Sequence, residues 1–219
     1  MILKSGNTLN FASSNDGDSS LIVLGNTSVS LQGKDNTINT LGVYLNSSFE
    51  QIKHNTDSSN NHINGNLEIC ENSSFIATRA TIDTSLNNSN TDTNEQEIEV
   101  CDGSSMSLNG IDANAILVTS KKIDIDGNSS FEIDTWDDNN NIVNSVVIQP
   151  PQGETGQIQV GISKVNLEVS GTIVMNVQLD SGSHMYTSND TVIDGDLSVR
   201  TYSSYYAKNS NSIYRSICP

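Results

Sequence analysis

The chain has 219 residues, with 26 acidic against 10 basic side chains and a formal net charge of −16. Such a surface repels phosphate backbones and anionic lipid, so nucleic acid and membrane are not expected partners, and no apolar stretch is long enough for a membrane helix. Roughly a third of the residues are Asn, Ser or Thr and 5% are aromatic, which excludes a conventional core of large side chains.

Disorder is the first reading of such a composition. Against it, Leu, Ile, Val and Phe recur from end to end in short alternating runs. The opening MILKSGNTLNF lacks the apolar segment of a signal peptide, and synthesis without classical secretion is expected. In chain order one unit then returns: apolar-x-apolar-x, a short turn of Gly, Asn, Ser or Thr, and an apolar residue again. It reads ILKSGNTLNF from Ile2, LIVLGNTSVSL from Leu21, LGVYLNSSFEQI from Leu41, LEICENSSF from Leu67, IEVCDGSSMSL from Ile98, IDIDGNSSFEI from Ile123 and a looser LEVSGTIVMNV from Leu167. A degenerate copy is expected around Val146, in VVIQPPQGETGQIQV.

Alternation on both sides of a polar turn marks two strands meeting at a corner. Tight hairpins favour Asn-Gly or Asp-Gly, whereas Asn-Ser-Ser suits a bend with a continued course. Self-similarity at roughly 20 to 30 residues is the signature of a solenoid. The fold expected is all-β: a parallel β-helix, or β-solenoid, of about eight short coils with insertions at its corners.

Parallel stacking sets equivalent residues about 4.8 Å apart in columns. Val29, Phe49, Phe75, Met106 and Phe131 form the apolar column after the turn, and Val23, Val43, Ile69, Val100, Ile125 and Val169 the one before it. At the corner, Asn26, Asn46, Asn72 and Asn128 are expected to form a carboxamide ladder, beside a hydroxyl ladder of Thr27, Ser47, Ser73, Ser104 and Ser129. Alternation points Cys70 and Cys101 outward in one column, at a Cα separation that a disulfide accepts. A stacked pair of free thiols is the first expectation and a bond the second.

Insertions fall at 53–66, 79–97 and 134–144, the expected variable surface. The solenoid is read over 1–180. In 181–219 the character changes, with Tyr186, Tyr202, Tyr205, Tyr206 and Tyr214 beside Arg200, Lys208 and Arg215. A terminal coil exposes strand edges, so this segment is read as a cap or a docking and oligomerisation segment, with Tyr202, Tyr205, Tyr206 and Tyr214 as its interface.

The corner-and-ladder repeat resembles the right-handed β-helices of viral tailspikes and fibres, polysaccharide lyases and adhesins. The phrase NDTVIDGDLSVR, 189–200, is similar to Asp-Gly-Asp-Leu-x-Val phrases of phage tail fibres. The resemblance implies a bacteriophage virion protein, commonly a homotrimer, held by other virion proteins and in contact with a host surface glycan or receptor. Of the expected functions, a non-enzymatic spike, fibre or decoration subunit comes first, a tailspike depolymerase second and a bacterial surface adhesin third.

The chemistry legible in the residues is sparse. Asp124, Asp126, Glu132, Asp134, Asp137 and Asp138 crowd one coil, but acids are spread along the whole chain and no pair has the spacing of a glycosidase. IDIDGN, 123–128, and DGD, 194–196, lack the calcium-loop register and read as turns. His54, His62 and His184 lack metal spacing, and no Cys-x-x-Cys occurs. Trp136 reads as a loop residue packed on its coil. The sequons at Asn26, Asn46, Asn72, Asn87, Asn128 and Asn189 follow from composition. No cofactor, metal or catalytic residue is expected.

Overall fold

The computed structural model describes residues 2–4, 20–32, 37–38, 40–52, 61–78, 80–86, 96–109, 117–134, 145–168, 170–188, 191–208, 212–213 and 217–218. The chain winds through three parallel sheets in a fixed order, A, B, C, before stepping to the next turn. Sheet A contains Ile2–Lys4, Ser20–Leu24, Thr40–Tyr44, Leu67–Ile69, Glu97–Val100, Lys122–Ile125, Gln157–Gly161, Asn176–Asp180, Leu197–Val199 and Ile217–Cys218. Sheet B contains Ser28–Gln32, Ser48–Ile52, Ser74–Thr78, Ser105–Asn109, Ser130–Asp134, Lys164–Glu168, His184–Ser188 and Ser204–Lys208. Sheet C contains Thr37–Ile38, Asn61–Ile63, Ala80–Asp83, Leu117–Thr119, Ser145–Gln149, Ser170–Ile173, Thr191–Ile193 and Ser212–Ile213. Eight coils thus have a strand in all three sheets, and the fold is a parallel β-helix. Among the described residues no helix is long and apolar enough to cross a membrane.

The corner between sheets A and B explains the repeat. Two successive residues there take the left-handed conformation, as at Gly25 (φ 68°) and Asn26 (φ 54°), Glu71 (62°) and Asn72 (59°), and Gly127 (65°) and Asn128 (66°). Gly and Asn enter this region at the least steric cost, which is why they recur before the hydroxyl residue. The side chains of Asn26, Asn46, Asn72 and Asn128 are exposed. The bonds between coils run through the main chain instead: Asn26 N–H donates to Leu45 O at 2.9 Å, Asn72 to Asp102 O at 2.9 Å and Asn128 to Ile162 O at 3.0 Å. The expected carboxamide ladder is corrected accordingly, since the asparagines are in register but act through their backbone.

The hydroxyl column is the polar ladder of this corner. The buried amides of Thr27, Ser47, Ser73, Ser104 and Ser129 donate to the Oγ of Ser47, Ser73, Ser104, Ser129 and Ser163, at 3.0–3.2 Å across 20 to 34 residues of sequence. Ser183 N–H donates likewise to Ser203 Oγ at 3.1 Å. Each rung satisfies a main-chain donor that no strand partner reaches. Ser73→Ala removes the acceptor of the buried Ser47 amide and is expected to cost about 1–3 kcal/mol in urea denaturation. Ser73→Thr is expected to keep the stability, because Thr27 already fills this column.

Inside, Val29, Phe49, Phe75, Met106 and Phe131 are buried in register, with Val165 and Met185 continuing the column. Phe49 and Phe75 stack with centroids 5.8 Å apart and planes 7° off parallel. Val23, Val43, Ile69, Val100 and Ile125 fill the column before the corner, followed by Val160 and Leu179. Val169, expected in that column, lies outside the described residues.

Two late copies are placed differently. Val146 stands on sheet C, and Leu167 is the penultimate residue of a sheet B strand, so the stretches read from them cross other corners. The A–B corners of the last coils are Gly161-Ile162-Ser163, Asp180-Ser181-Gly182-Ser183 and Arg200-Thr201-Tyr202-Ser203. The first has a single left-handed residue, Ile162 (φ 52°), and is one residue shorter than its neighbours. The stacking also runs past residue 180, where composition changes: the last two coils lie beyond Gly161 and reach Ile213.

Candidate functional site

Outward-facing residues of sheet A bring several acids together. Register puts Glu68, Glu99 and Asp124 side by side across three strands, with Glu97 beside Lys122 at one end of the row. Tyr44, Cys70, Cys101 and Asp126 follow at the other end, just before the corner. Like charges in direct register on neighbouring strands repel. Lys122 is the local counter-charge, its Nζ 2.6 Å from Asp124 Oδ2 and 3.6 Å from Glu97 Oε2.

The electrostatics follow. Burial raises the Glu99 carboxyl above its ordinary range, and the charges of Glu68, Glu97, Asp124 and Asp126 push it further in the same direction. Asp126 is raised by burial, then by Asp124 and Asp102, with Lys122 opposing. For Lys122, burial lowers the pKa, but the hydrogen bonds and charges of Asp124 and Glu97 outweigh it and the net shift is upward. Tyr44 titrates well above the ordinary phenol range, through burial, its hydrogen bond to Glu68 and the charges of Glu68, Glu99 and Glu71. Gly42 permits this arrangement, because a Cβ there would collide with the ring of Tyr44, which lies back over it.

The raised carboxyls make stability pH-dependent with a defined sign. A group whose folded pKa exceeds its unfolded value binds protons more tightly when folded. Its contribution is full below the ordinary carboxylate range and is lost as pH rises through the raised value. The melting temperature is therefore expected to rise from neutral into mildly acidic buffer, and Glu99→Gln is expected to flatten that rise. An unchanged profile in the variant would locate the effect elsewhere.

Cys70 and Cys101 close this face. The two residues pair across neighbouring coils and are joined in a disulfide, with Cα atoms 4.6 Å apart. The expectation of stacked free thiols is corrected: in-register parallel strands bring the two Cβ atoms within bonding reach. Cys70 points outward as alternation requires, yet it is only 4% exposed, because its column continues through Tyr44 on one side and Cys101 on the other.

No family model, curated protein or solved structure matches this chain. The residues themselves therefore carry the functional reading.

The acids singled out in the sequence are divided by the corner. Asp124 and Asp126 belong to the sheet A face, whereas Glu132 and Asp134 stand on sheet B, where Glu132 accepts from Asn166 Nδ2 at 3.2 Å. Asp137, Asp138, Trp136 and His54 lie outside the described residues. The DGD stretch turns from sheet C to sheet A, with Asp196 N–H donating to Asn176 Oδ1 at 3.0 Å, in keeping with turn chemistry. Sequence order hid the face itself, because Glu68, Glu99 and Asp124 meet only through the register of separate coils.

At the far end, Tyr206 stacks on Tyr186 with centroids 5.4 Å apart and is 60% exposed, while Tyr202 is 96% exposed. Tyr205 points inward against the core, its hydroxyl 2.9 Å from that of Thr187. Tyr214 lies outside the described residues. A separate recess of about 170 Å³ opens where sheet C turns to sheet A, among Pro150, Glu154, Met175, Asn176 and Asp194.

Proposed function

We propose that this chain is a non-enzymatic structural subunit of a bacteriophage particle, a spike, fibre or decoration protein that presents its corner loops outward. The observation that carries this reading is the continuous stack of coils. Eight stacked coils at a strand spacing of about 4.8 Å make a rod of roughly 35–40 Å, with apolar columns inside it and a hydroxyl column at the A–B corner. Such a rod supplies length and rigidity from small residues.

The carboxylates of sheet A favour this reading over glycan cleavage. A glycosidase holds two carboxyl groups on opposite sides of the scissile bond, whereas Glu68, Glu99 and Asp124 leave one strand face in one direction. Exposed apolar side chains, Leu45 and Ile162 at the A–B corner and Tyr202 and Tyr206 at the last coil, suit contact with further copies and with other virion proteins. A homotrimer is the assembly proposed.

The test is biochemical. Particles purified by density gradient are expected to contain the chain at a fixed copy number divisible by three, and sedimentation of the isolated protein is expected to give a trimer. Absence from purified particles overturns the proposal. Steady release of reducing ends from host capsule would replace it with a depolymerase.

A further inference from the structure

The disulfide of the acidic face has a second state. A thiol or phosphine reductant that supplies two electrons and two protons breaks the S–S bond and leaves Cys70 and Cys101 as two thiols on neighbouring, paired coils. In the cross-linked state the two sulfurs and a Glu99 oxygen all lie within 4.8 Å of one another. We propose that the reduced pair, together with Glu99, forms a binding site for a thiophilic divalent cation of the zinc class.

The geometry suits such an ion. A tetrahedral zinc centre with Zn–S bonds of about 2.3 Å sets its thiolates about 3.8 Å apart. The strands already hold the two Cα atoms 4.6 Å apart, so small χ1 rotations open the pair to that distance while both backbones stay in place. Those backbones are fixed, since Leu67–Ile69 and Glu97–Val100 pair with each other and with the strands on either side. Asp102 Oδ2 lies 3.9 Å from Cys101 Sγ at the exposed corner, and a water on that open side completes the tetrahedron.

The charge balance selects the ion. Two thiolates and a carboxylate carry three negative charges in a neighbourhood that also contains Glu68, Glu97, Asp124 and Asp126, with Lys122 bound to Asp124 and Glu97. A dication offsets this crowding. Thiolate donors choose zinc over calcium or magnesium, which take oxygen ligands. Bonded sulfurs cannot serve as thiolates, so the cross-link and the ion exclude one another. Metal uptake and thiol deprotonation are coupled, so binding releases protons.

The experiment uses the full chain, reduced with a phosphine, stripped with a chelator and titrated with Zn²⁺ by calorimetry and with Co²⁺ as an optical probe. One equivalent is expected to bind, with thiolate-to-cobalt charge-transfer bands and tetrahedral d–d bands. Cys70→Ser and Cys101→Ser are each expected to abolish the charge-transfer bands, and alkylating the thiols of the unsubstituted chain is expected to do the same without any substitution. Glu99→Gln is expected to weaken Zn²⁺ binding about tenfold or more. The oxidised chain is expected to bind no tighter than the alkylated one. Charge-transfer bands of undiminished intensity in the double variant Cys70→Ser/Cys101→Ser trace to Cys218 and overturn the proposal. Equal affinity of the oxidised and reduced chains, or an unaltered affinity in Glu99→Gln, overturns it as well.

Discussion

Phe75→Ala is expected to destabilise the solenoid by about 3–5 kcal/mol, read as a lowered urea midpoint. Phe75 is fully buried between Phe49 and Met106, so truncation leaves a cavity that the paired strands cannot close. It also removes the stack on Phe49, worth about 0.5–1.5 kcal/mol beyond burial. Against a typical total of about 5–15 kcal/mol for a domain, this single change takes a large fraction. Phe75→Met is expected to cost much less, because Met106 and Met185 occupy the same column and a thioether adapts to the space. A small loss in Phe75→Ala would mean that neighbouring coils collapse onto the site, contrary to the fixed strand spacing.

Reduction of the Cys70–Cys101 bond, with a chelator present, is expected to lower stability by about 3–4 kcal/mol. The bond joins residues 31 apart, and the chain-entropy relation gives that magnitude for a loop of this size. Cys101→Ser is expected to match the reduced chain and to be indifferent to reductant. A midpoint that reductant leaves unchanged would show that the acidic face is held by strand pairing alone. The loss also has a local meaning, because the closed loop contains one entire turn of the solenoid, from Cys70 through Ala80–Asp83 to Cys101.

How much of this was legible in the sequence depends on which force wrote each position. The inward column was fully legible from Val29 to Phe131, because alternation on a strand leaves a two-residue period in the chain itself. The hydroxyl rungs from Thr27 to Ser129 were legible for a similar reason. The asparagines were located correctly, but their physical role differs from the one expected. A side chain that recurs at a corner can be selected for its φ angle as well as for its hydrogen bonds, and Asn26, Asn46, Asn72 and Asn128 were selected for φ. The later corners were illegible, because Ile162, Thr201 and Tyr202 take the left-handed conformation with side chains that do not advertise it. The acidic face was illegible for a different reason. Glu68, Glu99 and Asp124 become neighbours only when unequal loops are subtracted, and those lengths are not periodic.

The unequal spacing of the serine rungs has a kinetic consequence. Each strand meets its hydrogen-bonding partner only after a complete turn, so there is no local hairpin from which pairing could start, and the first turn must close against the full entropy of its loop. Once two turns are in register, the exposed edges of all three sheets form a template, and every added turn gains main-chain bonds, a hydroxyl rung and a core layer together. Refolding is therefore governed by a slow nucleation followed by fast growth, and lengthening a corner insertion raises its barrier only logarithmically, by about 0.6 kcal/mol per doubling of the loop. A molecule built this way can vary its loops widely while its folding time and its rungs stay nearly constant.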